Sequence, residues 1–226
     1  PVRVSATLSG YYASGRGTGL RPSLLVRITE LYPGPRQAEA FLNQHRGLSD
    51  RQLYSLLQER RRDWEGLNAA LEQWQAGPSG SEAAQGRVQV AHALREAWRN
   101  APLAEQNPQA ARLSLVCDEP LLTLTTSFIH VRELSVAGNG ITDGNANAFL
   151  AHFPEVTHLT IGNMARGIDY LTSRARPLTS LPSAVGQMSR LVSLRFSTHA
   201  PALAADFSAS LGALTALETL HIDYAG

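Results

Sequence analysis

The segment Val131-Arg-Glu-Leu134-Ser-Val136-Ala-Gly-Asn139-Gly-Ile141 constrains the fold of this chain more than any other. It sets apolar residues at relative positions 0, 3, 5 and 10, with an asparagine at 8. The 0, 3, 5 spacing recurs at Ala110, Leu113 and Leu115, at Val156, Leu159 and Ile161, at Leu191, Leu194 and Phe196, and at Leu217, Leu220 and Ile222. The copies start at 110, 131, 156, 191 and 217, at intervals of 21, 25, 35 and 26. Self-similarity at roughly 20–29 residues marks a chain that stacks one short unit on the next. The long interval predicts an insertion of about 10 residues within 164–177. Positions 3 and 5 belong on a short strand, where alternate side chains point inward. The asparagine sits where the chain turns off the strand, and its amide can satisfy backbone groups of neighbouring turns. Only Asn139 is in register; Asn163 is one position early, and Asp118, His199 and Ala225 stand near the equivalent points.

This template is that of the leucine-rich repeat, so the sequence predicts an α+β solenoid with a short parallel β-sheet. The solenoid should be irregular. Segments 146–153, 182–188 and 207–214, short and partly helical in pattern, should form its outer, convex side.

A different region precedes the repeats. Leu53, Leu57, Arg60, Trp64, Leu67, Leu71 and Trp74 recur at intervals of 4 and 3, a helical stripe. Ser49 is the expected N-cap, with Gln52 as its capping-box partner, and Gly77-Pro78 stops the helix. A second helix should run from Ser81 to about Asn100, with Val88, Ala91, Leu94 and Trp98 on one face. The short link between them makes the two an antiparallel hairpin. The stripe suits either its own hairpin partner or a coiled coil with another protein; the first is the commoner outcome. A shorter helix over 35–45 should pack Phe41 and Leu42. Pro102 and Pro108 mark the passage into the repeats, and the hairpin is suited to cap the first of them. The expected divisions are 1–34, an N-terminal loop with a short helix; 35–102, the helical region; and 103–226, about five repeats with the last uncapped. The chain begins at Pro1 and stops just after the fifth copy, which predicts that the natural protein continues on both sides.

Composition narrows the function classes. No apolar run approaches the ~18 residues of a membrane span, and no signal-peptide pattern is present. The single cysteine, Cys117, excludes an internal disulfide and a multi-cysteine metal site. It follows the first strand, where a small buried residue fits. Residues 1–100 hold 13 arginines against 9 acids, and residues 101–226 hold 7 against 10. The densest basic spot, Arg60-Arg61-Arg62, has Glu59, Asp63 and Glu65 beside it and reads as a solvated helix face. Without a broad basic surface, nucleic-acid binding is not expected. All 20 basic residues are arginine; there is no lysine.

Leu31-Tyr-Pro-Gly34, the helix ending in Leu71-Glu-Gln-Trp74, and Leu178-Thr-Ser-Leu-Pro-Ser-Ala-Val-Gly-Gln-Met188 give residues 25–226 a family likeness. The chain resembles the leucine-rich-repeat region of dermonecrotic-toxin-like bacterial effectors, many of which carry a C-terminal novel E3 ligase domain. The resemblance implies a module of a secreted effector that acts in the host cytoplasm, recognises a host protein and is joined to flanking domains. It does not carry catalysis to this chain, because Cys117 lies within the repeats and the helical ligase domain is absent from it. Lysine is the ubiquitin acceptor, so its absence fits that setting; a GC-rich genome, which favours arginine codons, explains it equally.

On the strands, the residues pointing away from the core should line the concave side and meet a protein partner. They are Arg112 and Ser114; Glu133 and Ser135; His158 and Thr160; Ser193 and Arg195; and Thr219, His221 and Asp223. The alternative for each is a merely solvated strand face. The central ones, with two arginines and two histidines, are the strongest candidates for hydrogen-bonded recognition. No G-x-S-x-G elbow, phosphate loop or H-E-x-x-H is present; neither catalysis nor a cofactor or metal is expected of this chain. A plain scaffold module of a toxin, with no ubiquitin link, is the competing expectation.

Overall fold

The computed structural model of the protein describes residues 20–77, 80–162, 178–198 and 211–224. The expected insertion at 164–177, the turn positions Asn163, His199 and Ala225, and residues 207–210 of the expected segment 207–214 lie outside the described residues. Four helices come first: α1 (Pro22–Leu31), α2 (Pro35–Gln44), α3 (Asp50–Gln75) and α4 (Ser81–Asn100). Two 3₁₀ turns, Ala101–Leu103 and Pro108–Ala111, lead into strand β1 (Arg112–Val116). Then follow β2 (Glu133–Ala137), a short helix α5 (Ala146–Leu150), β3 (His158–Gly162), a 3₁₀ turn at Ser183–Gln187, β4 (Ser193–Thr198) and β5 (Thr219–Tyr224). The fold is α+β, with five helices and a five-stranded sheet among the described residues.

Helix α3 starts where its cap is coded. The Ser49 N–H donates to Gln52 Oε1 at 2.9 Å, and the Gln52 N–H donates to Ser49 Oγ at 3.4 Å. Its buried residues are Leu53, Leu57, Leu67 and Leu71. The stripe packs against this chain's own second helix. The Trp64 ring lies 5.0 Å from that of Trp98, Arg95 Nε donates to Asn68 Oδ1 at 2.7 Å, and Arg87 Nη1 donates to the Trp74 carbonyl at 2.9 Å. The pairs 64–98, 68–95 and 74–87 run in opposite directions, so α3 and α4 are antiparallel.

One expected face of α4 is corrected. Val88 is 54% exposed, and the buried residues are Val90, Ala91, Leu94, Ala97 and Trp98, with Arg87. At ~100° per residue, Val88 lies about 120° round the helix from the centre of that face, beyond the reach of the core. Its apolar side chain and its i, i+3 relation to Ala91 mislead a reading of pattern alone.

All five strands are parallel, and their spatial order follows the sequence, β1-β2-β3-β4-β5. Leu113, Leu134, Leu159, Leu194 and Leu220 form one row across the sheet, and Leu115, Val136, Ile161, Phe196 and Ile222 the next. These are the residues at positions 3 and 5 of the sequence spacing. A backbone ladder repeats the same register one residue after each start. The Arg132 N–H donates to Ala111 O at 2.8 Å, Thr157 to Arg132 O at 2.8 Å, Val192 to Thr157 O at 2.8 Å and Glu218 to Val192 O at 2.8 Å. In the core, Phe128 stacks on Phe153 and Phe149 packs tilted against it, both ring pairs 5.2 Å apart.

The turn after β2 needs glycine. Gly138 has φ of +102°, and a Cβ there would collide with the Cys117 carbonyl. The Gly140 N–H donates to that same carbonyl at 2.7 Å. Asp118 Oδ1 accepts from the Asn139 N–H at 3.0 Å, so the turn position of one copy holds the turn of the next. Asp143 does likewise for the backbone N–H groups of Thr179, at 3.0 Å, and Ser180, at 3.2 Å.

The helices cover the β1 side of the sheet. Helix α4 packs against β1. Trp74 Nε1–H donates to the Pro120 carbonyl at 2.9 Å, and Arg87 pairs with Glu119 at 2.9 Å. Buried apolar residues of helices and strands form one continuous core.

Candidate protein-binding face

Alternation along each strand decides what this face contains. In β1 and β2 the leucines and valines of positions 3 and 5 point inward, so their neighbours emerge on the other side. Register then assembles rows from five different segments. Arg112, Glu133, His158, Ser193 and Thr219 are mutual neighbours along one row. Ser114, Ser135, Thr160, Arg195 and His221 form the second. Every one of these residues, and Asp223, is exposed or half-buried.

The four residues singled out as strongest are not gathered at the middle. Arg112 and His221 lie on the edge strands β1 and β5, while His158 and Arg195 occupy the adjacent inner strands β3 and β4. A third row, Val116, Ala137, Gly162, Ser197 and Asp223, continues the register, with Gly162 and Ser197 buried in it. Of it, the sequence reading named Asp223 alone. Val116 is 63% exposed. The signal was present, since 116, 137, 162 and 197 stand at the same offset from their copies as Asp223.

The electrostatics are balanced in pairs. Arg112 Nε lies 2.7 Å from Glu133 Oε2 on the next strand. Arg195 Nη2 lies 2.8 Å from Asp223 Oδ2, and His221 Nε2 lies 2.7 Å from Asp223 Oδ1. Ser197 Oγ also donates to Asp223, at 3.3 Å. The hydrogen bonds from Arg195 and then His221 hold the Asp223 carboxyl below the usual carboxylate range. Exposed pairs of this kind are screened by solvent and add little to stability; they orient side chains more than they hold the fold. His158 Nδ1 lies 2.9 Å from Thr157 Oγ1.

Among the described residues of this face, serine, histidine and acid are not aligned as a triad. His221 faces Asp223, which is already occupied by Arg195 and Ser197, and Ser193 lies in a different row from His221. A triad requires one histidine between nucleophile and acid. Cys117 is buried, its Sγ–H donates to the Glu119 carbonyl at 3.0 Å, and burial pushes its thiol up to about 11. Such a thiol is inert at neutral pH. Among the described residues no group of three His, Cys, Asp or Glu side chains is placed to hold a metal ion. No helix among them is long and apolar enough to cross a membrane.

Five strands at ~4.8 Å spacing and three rows at ~6.6 Å give a strip of about 19 by 13 Å. That is roughly a third of the ~800 Å² that each partner contributes to a standard interface. A protein partner on this face must therefore also touch the loops that flank it. Comparison with protein families, characterised proteins and solved structures gave no match.

Proposed function

We propose that this chain is the leucine-rich-repeat recognition module of a larger secreted bacterial effector of the E3 ubiquitin-ligase type, and that its exposed strand face holds a host protein on the concave side of a solenoid. The observation that carries the binding role is the register. Parallel strands β1 to β5 bring polar side chains from five separate segments into unbroken rows. Oriented, paired polar groups on a rigid sheet lose little side-chain freedom when a partner binds. Balanced charge along the rows suits a protein surface better than a phosphate backbone. The ubiquitin link rests on the sequence resemblance alone, and the ligase chemistry belongs to a flanking domain.

Quantitative affinity capture from host lysate tests the face, comparing the wild type with an Arg195→Glu, His158→Glu double variant. Partners lost from the variant, with unchanged thermal stability, support the reading. Equal recovery of the same partners by both proteins removes it. The coding sequence beyond Gly226 tests the ubiquitin link. A helical domain with a Cys-x-Asp motif supports it, and a different domain leaves a scaffold module that uses the same face.

A further inference from the structure

We propose that the free edge of β5 pairs, antiparallel, with β5 of a second copy of this chain, so that two five-stranded sheets join about a two-fold axis. The pairing does not depend on the binding role assigned to the strand face.

The two edges of the sheet are finished differently. At β1 the inward residues Leu113 and Leu115 are buried, and α4 packs against the strand. At β5 the residues of the same two rows, Leu220 and Ile222, are exposed, and among the described residues the strand pairs with β4 alone. An open edge offers main-chain groups to another strand, and native proteins commonly blunt it with proline, a bulge or an inward-pointing charge. Thr219-Leu-His-Ile-Asp-Tyr224 has none of these and keeps register with β4 through all its residues.

Backbone geometry decides which groups are free. The Thr219 N–H donates to the Val192 carbonyl at 3.0 Å, toward β4. Main-chain groups point alternately to the two sides of a strand, so those of His221 and Asp223 also face β4, and those of Leu220, Ile222 and Tyr224 face outward. β1 shows the same alternation: Cys117, in register with Tyr224, donates its N–H to the following strand, at the Ala137 carbonyl, 2.9 Å away.

A two-fold axis at Ile222 uses every outward group. Ile222 meets its own copy and Leu220 meets Tyr224, for about six main-chain hydrogen bonds. Between these pairs His221 falls opposite Asp223, and Asp223 opposite His221, in the position where side chains approach most closely. An axis at His221 would set the histidine against itself and leave fewer bonds. The order basic, apolar, acidic in His221-Ile222-Asp223 is therefore self-complementary only when read antiparallel, and this selects a second copy as the occupant. The bonds within one chain leave the side chains of His221 and Asp223 57% and 39% exposed, open to a second partner. The paired edge is far smaller than the ~800 Å² per partner of a standard interface, so the dimer is weak and reversible. Both polar faces lie on one side of the joined sheet.

Sedimentation velocity of the full chain over a concentration series tests the pairing, with thermal melts to show that each variant is folded. The wild type should pass reversibly from monomer to dimer. His221→Asp sets acid against acid and Asp223→Arg sets base against base, so each alone should dimerise at least ~tenfold more weakly. An equimolar mixture of the two variants places opposite charges across the axis again and should dimerise at least as tightly as the wild type. A wild-type chain that is monomeric at every concentration overturns the proposal and leaves the edge to a strand of another kind. A dimer that both single variants retain, or folded variants whose mixture does not associate, overturns it equally.

Discussion

His130 is mostly enclosed between α4 and the chain entering β2, and burial drives its imidazole down to about 4, against the upward pull of the Ala97 carbonyl. The unfolded chain, with an ordinary value of 6.5, binds the proton that the folded chain refuses. Stability contributed by this residue is therefore complete above pH 6.5 and lost as the pH falls toward 4, a difference on the order of 3 kcal/mol. His45 and His152 shift in the same direction through burial, so the window has more than one contributor. Urea titrations at pH 7 and pH 4.5 should show the loss, and His130→Gln should reduce it; an equal loss in both proteins would assign the effect elsewhere. The rows of the core make a second residue-scale test. Leu134 and Leu194 are fully enclosed, and truncation of either to alanine should cost ~2–5 kcal/mol. Leu220, in the same row, is 42% exposed, and Leu220→Ala should cost less than ~1.5 kcal/mol. Equal losses at Leu194 and Leu220 would contradict the packing described.

Among the elements, the turn after β2 carries the sharpest constraint. Gly138→Ala adds a Cβ against the Cys117 carbonyl at a backbone angle that disfavours any side chain, so a loss of at least ~2 kcal/mol is expected in thermal or chemical denaturation. A wild-type midpoint would mean that the turn can relax. The strands were legible because their spacing is local: positions 3 and 5 declare an inward-facing pair without any knowledge of the neighbour. Helix α3 was legible for the same reason, since Ser49 and Gln52 declare its start within four residues. Helix α4 was legible in extent but not in phase. Ala, Val and Trp surround much of its circumference, and only the packing of α3 and β1 decides that Val90 turns inward and Val88 outward. The outward rows of the sheet were readable from alternation, whereas their ion pairs were not. Arg112 finds Glu133 at a separation of 21 residues, and Arg195 finds Asp223 at 28. A cavity of about 540 Å³ between the helices and the chain entering β2 left no trace in the sequence, because its walls come from segments as far apart as Tyr32 and Arg132.

For the molecule as a whole, the two ends of the sheet differ. β1 packs against α4, and Arg87 of α4 and Trp74 of α3 hold Glu119 and Pro120 just after it, while on β5 Leu220 and Ile222 are 42% and 37% exposed. Burial of apolar area sets local opening free energy, so native-state hydrogen exchange should find the β5 amides at least ~3 kcal/mol less protected than those of β2 and β3. Protection of β5 equal to that of β3 would remove the distinction. The sequential order of the strands has a further consequence. Paired residues are separated by 21, 25, 35 and 26 positions, and no strand waits for one beyond its immediate successor. Loop-closure entropy rises only slowly over such distances. The protein can therefore assemble in the order in which a ribosome releases it, each newly emerged strand laid on the one before, beginning at the helical end.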